Sequence, residues 1–180
     1  MPRKRQDKSE AIAHILKAAA AEFADKGFAG ARIDAIAHRA HMNKAILYYH
    51  VGNKRDLYCR VILEILRVAR ARLTEAVATA DTAADKLHAL VVSLATSAAA
   101  MPSMPRIMMR EIASGALNLP DEVLSEMAGV FGMVQGLLRE GKKAGEFRDI
   151  DELKTHILII ATTILYIVGA PVRERIAERM

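Results

Sequence analysis

Residues 32–51 read RIDAIAHRAHMNKAILYYHV, from Arg32 to Val51. Ile33, Ile36, Ala37 and Ala40 fall at i, i+3, i+4 and i+7, the spacing of one apolar helix face. The pattern breaks at His41-Met42-Asn43 and resumes through Val51. The spacing therefore predicts two short helices joined by a three-residue turn. Ile33, Ile36, Ala37, Met42, Leu47 and Val51 are the side chains that would brace the second helix. Asn43, Lys44, Ala45, Ile46, Tyr48, Tyr49 and His50 are left facing outward. Two short helices, a tight turn and a braced second helix with small, polar and aromatic residues outside make a helix-turn-helix.

The flanks fit this reading. Upstream, Asp7 and Glu10 have the spacing of a capping box, and Ile12, Ile15, Leu16, Ala19, Ala20 and Phe23 form the apolar stripe of a first helix. Gly27 is placed to end it. Downstream, Gly52 makes a turn, and Asn53 with Asp56 caps a long fourth helix whose buried stripe is Leu57, Val61, Ile65, Leu66, Ala69, Leu73 and Val77. Helical periodicity then recurs to the end. Leu87 to Ala98 mark a helix that stops near Pro102, Pro105 opens a short one ended by Ser114-Gly115, and Pro120 starts another. Asp149 and Glu152 cap the last long helix, which Pro171 breaks ahead of a charged tail. No alternating strand pattern stands out.

Composition narrows the function. The chain has 180 residues, 52% hydrophobic and 26% charged, enough for a packed core. The lone Cys59 excludes a disulfide scaffold. The formal net charge is +5, and residues 1–60, with 12 Lys and Arg against 6 Asp and Glu, carry all the excess. A basic third on a near-neutral body points to a polyanion at one end. The basic start lacks the apolar run of a secretory signal. The uncharged stretch from Thr155 to Val172 is short and flecked with Thr, His and Gly, so a helix buried in a soluble assembly is expected, not a membrane span.

Each outward group has a role against duplex DNA. Asn43 caps the third helix, and the amides beside it suit a phosphate. Lys44 is a cation near base edges, while Ala45 and Ile46 suit thymine methyls. Tyr48, Tyr49 and His50 reach phosphates or bases. Arg32 and Lys54 clamp phosphates on either side of the groove. Arg3, Lys4, Arg5 and Lys8 form a trailing arm.

An ordered set of residues over 8–68 carries a family resemblance. It runs Ile15-Leu16, Ala18-Ala19, Phe23, Gly27-Phe28, Ile33, Ile36-Ala37, Ala40, Asn43 to Val51, Asn53-Lys54 and Leu57. In this the chain resembles the DNA-binding region of the TetR (tetracycline repressor) family of transcriptional regulators. A later stretch, Gly141 to Phe147, resembles a turn of that family's C-terminal domains. The chain departs from the family at His41, where Gly is usual and a left-handed backbone is needed. It also departs at Ala31, often Thr, and at Val51, usually Phe.

The resemblance implies an all-α chain in two parts. Residues 8–68 are a three-helix helix-turn-helix DNA-binding domain with its motif at 32–51, and residues 69–180 are a helical effector-binding and dimerisation domain. It implies a cytoplasmic homodimer on a palindromic operator, most commonly a repressor released by a small molecule. The dimer seam is placed on the uncharged helix at His156, Ile159, Ile160, Thr163 and Ile167. The effector pocket is placed at Met101, Met104, Met108, Met127, Phe131 and Tyr166, since flexible thioethers suit a small hydrophobic ligand. Met109 and Met133 lie in the same region. His88, Ser93, Thr96, Ser97, Gln135, His156, Thr162, Thr163 and Tyr166 are polar candidates to orient that ligand. A clear final amphipathic helix is missing after Pro171: either the chain stops short of it or it pairs with less.

Two rival classes are weighed. An enzyme would need a nucleophile setting, a phosphate loop or a metal site, and none stands out, so no catalytic residue, cofactor or metal is expected. Asp149, Asp151 and Glu152 read as a helix start. A membrane-associated helical protein with an incidental basic patch is the other alternative, and membrane partnership is not expected.

Overall fold

The computed structural model describes residues 2–180, with side chains from Glu10 onward. The described residues fold into helices α1 (Pro2–Gly30), α2 (Ile33–Arg39), α3 (Lys44–Val51), α4 (Lys54–Ala78), α5 (Ala83–Ala100), α6 (Ser103–Ala113), α7 (Asp121–Ala144), α8 (Glu152–Val168) and α9 (Ala170–Ala177), with no strand among them. The helical reading of the sequence holds throughout, and most corrections are at ends.

The first correction is at α1, which is helical from Pro2, so Asp7 and Glu10 do not start it. The side chains of Arg3, Lys4, Arg5 and Lys8 lie outside the described residues. At Gly27 the backbone takes φ 69°, ψ 175°, a conformation only glycine adopts freely, and the helix kinks there, adding one more turn to Gly30. Asp149 does not cap α8. The cap is Asp151, whose carboxylate accepts from Lys154 N at 2.9 Å, while Asp149 pairs with Lys142 at 2.7 Å. The stretch after Pro171 is a short exposed helix, and the break comes at Gly169.

Two apolar clusters hold the fold. The larger joins Ile15, Ala19 and Phe23 of α1 to Ile36, Leu47, Val51, Leu57, Tyr58 and Ile62, and continues into Ile107, Met108 and Val123 of α6 and α7. Each such large side chain, fully buried, stabilises by about 1.5–3 kcal/mol. The smaller cluster gathers Leu73, Leu90, Val130, Val134, Leu137 and Leu138 where α4, α5 and α7 meet. Helix α4 runs unbroken through residue 68 and is shared by both clusters, so it ties the two halves together mechanically.

A buried polar knot sits inside the larger cluster. Glu111 is 2% exposed, yet Tyr58 Oη donates to it at 2.6 Å and Asn118 Nδ2 at 3.1 Å. The Tyr58 ring packs edge-on to Phe23, with centroids 4.7 Å apart. Burial and the adjacent carboxylate push the Tyr58 phenol well above its usual range, so it stays a donor.

Candidate functional site

The motif forms as its sequence spacing dictates. Ile36 and Leu47 are fully buried and Val51 is 2% exposed, so α2 and α3 are braced on α1 and α4 by the expected side chains. Val51 fills its place despite being smaller than the usual Phe. The turn is tight: His41 N donates to His38 O at 3.1 Å and Met42 N to Ala37 O at 3.0 Å. His41 takes φ 52°, the left-handed backbone where the family prefers glycine. Histidine bears this at moderate cost, and the motif is intact.

Asn43 caps α3, its Oδ1 accepting from Ala45 N at 2.8 Å. Ala45, Ile46, Tyr48 and Tyr49 lie on the outer side of α3. Tyr49 is 80% exposed and Tyr48 42%, a large amount of aromatic surface to leave in water without a partner. Lys44 is exposed and pairs with Asp34 of α2 at 2.8 Å, which raises the ammonium's pKa and lowers the carboxyl's. That pair holds the cation at the start of α3. His50 is half-buried, its ring edge-on to Tyr49 and its carbonyl accepting from Arg60 at 2.8 Å.

Arg32 is exposed at the N-terminus of α2, where no side chain caps the helix. Ala31 beside it is 3% exposed. Lys54 is placed differently from the simple clamp read in the sequence. Its Nζ donates to Ala29 O at 3.1 Å and sits 5.0 Å from the Phe28 ring centroid. It ties α4 to the end of α1. Arg55, the next residue, is exposed and was not singled out by its sequence context.

Beyond α1, α2 and α3, together the head, a cavity of about 170 Å³ opens between α4, α5, α6, α7 and α8. Met101, Met104, Met108 and Met127 line it. Phe131 and Tyr166 do not line it, and that expectation is corrected. Phe131 stacks edge-on to His156 at 4.9 Å, and Tyr166 lies outside under the Arg173 guanidinium at 4.0 Å. Of the polar candidates, Ser97, His156 and Thr163 are in the wall. Thr163 Oγ1 donates to Ile159 O at 2.8 Å, so that hydroxyl is free only to accept. Ser93 and Thr96 border a separate open groove on α4 and α5. Arg72, from α4, is the charged wall residue the sequence did not flag. Burial lowers the His156 imidazole below its usual value, and its Nδ1 is buried with no partner.

The expected seam is also corrected. His156, Ile160 and Thr163 line the cavity, and Ile159 packs on the smaller cluster. Ile167 is half-buried. These residues face inward because α8 packs against α5, α6 and α7 on that side. The opposite side shows Leu153, Ile157, Leu158, Leu165 and Tyr166, all more than half exposed.

Among the described residues no cluster of His, Cys, Asp and Glu could hold a metal ion, and no single helix is long and apolar enough to cross a membrane. The bent pairs α5–α6 and α8–α9 pass on composition only together, with bends of 98° and 56°.

Comparison with known proteins gives consistent matches. The family described as bacterial regulatory proteins, tetR family, matches residues 15–61, and the tetracyclin repressor-like C-terminal domain matches residues 60–180. The HTH-type transcriptional repressor SCO4008 of Streptomyces coelicolor is 27% identical over 172 residues, 95% of this chain and 85% of its own. The HTH-type transcriptional repressor NicS of Pseudomonas putida is 28% identical, over 85% of this chain and 73% of its own. In fold, the hemolysin II transcriptional regulator HlyIIR has a TM-score of 0.77 at 22% identity, covering 96% of this chain and 95% of its own. The regulator FadR from Bacillus subtilis, solved in complex with stearoyl-CoA, has a TM-score of 0.76 at 20% identity over 90% and 88%. With both halves of the chain matched and the motif in place, the protein belongs to the TetR family of DNA-binding transcriptional regulators.

Proposed function

We propose that the protein is a homodimeric repressor that holds a palindromic operator and is released by a small hydrophobic effector. One observation carries the reading. Helix α4 anchors the helix-turn-helix through Leu57, Val61 and Ile62, and further along walls the cavity through Ile65, Leu66, Ala69 and Leu73. A ligand that changes the cavity acts on the element that sets the position of α3. It shifts the balance only by its difference in affinity for the DNA-binding and released states.

The site of action is then the cytoplasm, where the chromosome is. Residues 8–68 carry DNA contact, and residues 69–180 carry effector binding and pairing. The contacts are Tyr48, Tyr49, Ala45 and Ile46 in the groove, the α3 start with Asn43 and Lys44, and Arg32 and His50 at the flanks. Lys54 serves by fixing the α1 end and, with its charge at the surface, the phosphate beside it. Pairing falls to the outer side of α8, where Leu153, Ile157, Leu158 and Leu165 form an apolar strip that a second copy covers.

The effector class follows from the lining. The wall is apolar except for Arg72, Ser97, His156 and Thr163. A volume of 170 Å³ compares with the ~150 Å³ apolar cavity that holds benzene, so single-ring or short-chain molecules fit without rearrangement. Longer ones need the methionines to swing aside. The stearoyl-CoA bound by FadR carries a long acyl chain, an apolar group of the kind this wall would take.

The test is a titration of the protein, without detergent, onto a labelled duplex from upstream of its own gene. Affinity should fall steeply with salt, because each neutralised phosphate releases counterions. A panel of small apolar compounds should then include members that lower affinity at fixed salt. Salt-independent binding, or a requirement for detergent, would return the rival readings.

A further inference from the structure

The cavity differs from one end to the other. Leu66, Met104, Met108, Met127 and Ile164 line the part nearest the head, and all belong to or pack on the larger apolar cluster. Leu73, Leu94 and Val130 line the far part and go with the smaller cluster. Three of the four polar wall residues fall in with the far part. Arg72 precedes Leu73 on α4, and Ser97 stands one turn beyond Leu94 on α5. His156 stands one turn before Ile159 of α8, which packs on the smaller cluster. Thr163 is the exception, and its hydroxyl already donates to Ile159 O at 2.8 Å. One end of the cavity is thus thioether and aliphatic, and the other carries a guanidinium, a hydroxyl and an imidazole.

The polar end lacks an anion. No Asp or Glu lines the cavity among the described residues. Arg67 and Arg70, earlier on α4, are engaged by Glu122 and Glu126 of α7, whereas Arg72 makes no ion pair among the described residues. Glu75, one turn on, borders the open groove and not the cavity. His156 Nδ1 is buried without a partner. Arg72 and Ser97 border both the cavity and the groove, so this end is where the cavity meets water. A carboxylate there keeps part of its hydration, and a guanidinium offers it two parallel N–H donors. At the methionine end the same charge would lose its water with nothing to pair it.

We propose that the cavity takes an amphipathic acid. Its single carboxylate sits at the end that holds Arg72, Ser97 and His156, and its single-ring or short-chain apolar body extends toward Met104 and Met108. The proposal rests on the effector reading above and names the chemical class of that effector. A plain hydrocarbon of the same size leaves the guanidinium without a counter-charge, so the acid is preferred over its neutral isosteres. Arg72 is exposed, and replacing it leaves both apolar clusters untouched.

The experiment titrates the full chain by calorimetry with 3-phenylpropanoate, its neutral isostere 3-phenylpropanamide, toluene and acetate. In the wild type the acid should bind about 10-fold or more tighter than the amide, the scale of a hydrogen-bonded charge pair. Acetate, the head group without a body, should give no binding. In R72Q the preference for acid over amide should fall below about 2-fold, with amide affinity unchanged. R72K, which keeps the charge but not the fork, should show an intermediate preference. Equal affinities in the wild type, or a preference that R72Q keeps, overturn the acid end and leave an apolar effector standing. So does toluene binding where neither phenylpropanoid binds. Acetate that binds as well as the acid reveals a loose anion site and overturns the proposal. Duplex affinity is then measured at constant ionic strength with saturating acid, on a duplex enriched by the wild type from random sequence. An acid that binds through Arg72 yet leaves duplex affinity unchanged overturns the release reading and not the acid site. Failure of all four compounds to bind overturns both.

Discussion

His156 shows how one side chain reports its surroundings. Burial holds the ring neutral in the fold, below the usual imidazole value. The unfolded chain takes up a proton at about pH 6.5 and the native chain only at lower pH. The contribution is therefore intact above that pH and is lost as pH falls through it. His156→Gln should flatten the fall of melting temperature between about pH 7.5 and about pH 5. Parallel curves for the two proteins would clear His156 of this role. Gly141 gives a steric case. Gly145 ends α7 at φ 75°, Glu146 N returns to Gly141 O at 2.9 Å, and the chain folds Phe147 directly over Gly141. A β-carbon at Gly141 would strike that ring, so Gly141→Ala should cost about 1–3 kcal/mol, read by denaturant melting. The turn was legible as a glycine-spaced motif, but its purpose, seating an aromatic ring on a bare backbone, needed coordinates. Tyr58→Phe keeps the ring contacts and removes the hydroxyl from Glu111. It should destabilise by about 1.5–3 kcal/mol, since a charged partner is left short of a donor. An unchanged denaturation midpoint would mean the knot is idle.

At the level of elements, α3 was the easiest to read and α8 the hardest. In α3 the buried residues, Leu47 and Val51, stand four apart on one narrow stripe, and the rest of the helix is the exposed side. In α8 almost every position is apolar, and periodicity cannot say which side meets the body and which is left over. His156 and Thr163 turned inward to the cavity, and Ile157, Leu158 and Leu165 turned out. The tie made by Lys54 was hidden for another reason. Its partners, Ala29 O and Phe28, lie 25 and 26 residues away in the chain, a long-range contact that local spacing cannot show. The DNA-facing side is tested by Tyr49→Ala. It removes the most exposed ring of α3 and should weaken binding to all duplexes while leaving the salt slope, which the cations set, unchanged. Ile46→Ala should instead change base preference at one position. Equal effects of both on every sequence would overturn the division between phosphate and base contacts.

For the whole molecule, the sequence made the basic first third and the neutral body plain, and the fold class with them. It left open how the body meets α1, because α4 and α6 both pack on it through contacts between distant segments. The outer strip of α8 leaves Leu153, Ile157, Leu158 and Leu165 more than half exposed on the single chain. Leu158→Glu with Leu165→Glu should leave the helical content in place and, by light scattering, halve the particle mass. Loss of pairing should also cost duplex affinity heavily, since one motif alone makes few base contacts.

The most direct measurement joins these levels. Duplexes enriched by the wild-type protein from a random pool are sequenced, and the mass of protein bound per duplex is determined. The expected result is an inverted repeat with half-site centres one or two turns apart, at ~34–36 Å per turn, carrying protomers in pairs. Enrichment of unpaired half-sites, or one protomer per duplex at saturation, would contradict the paired α3 reading.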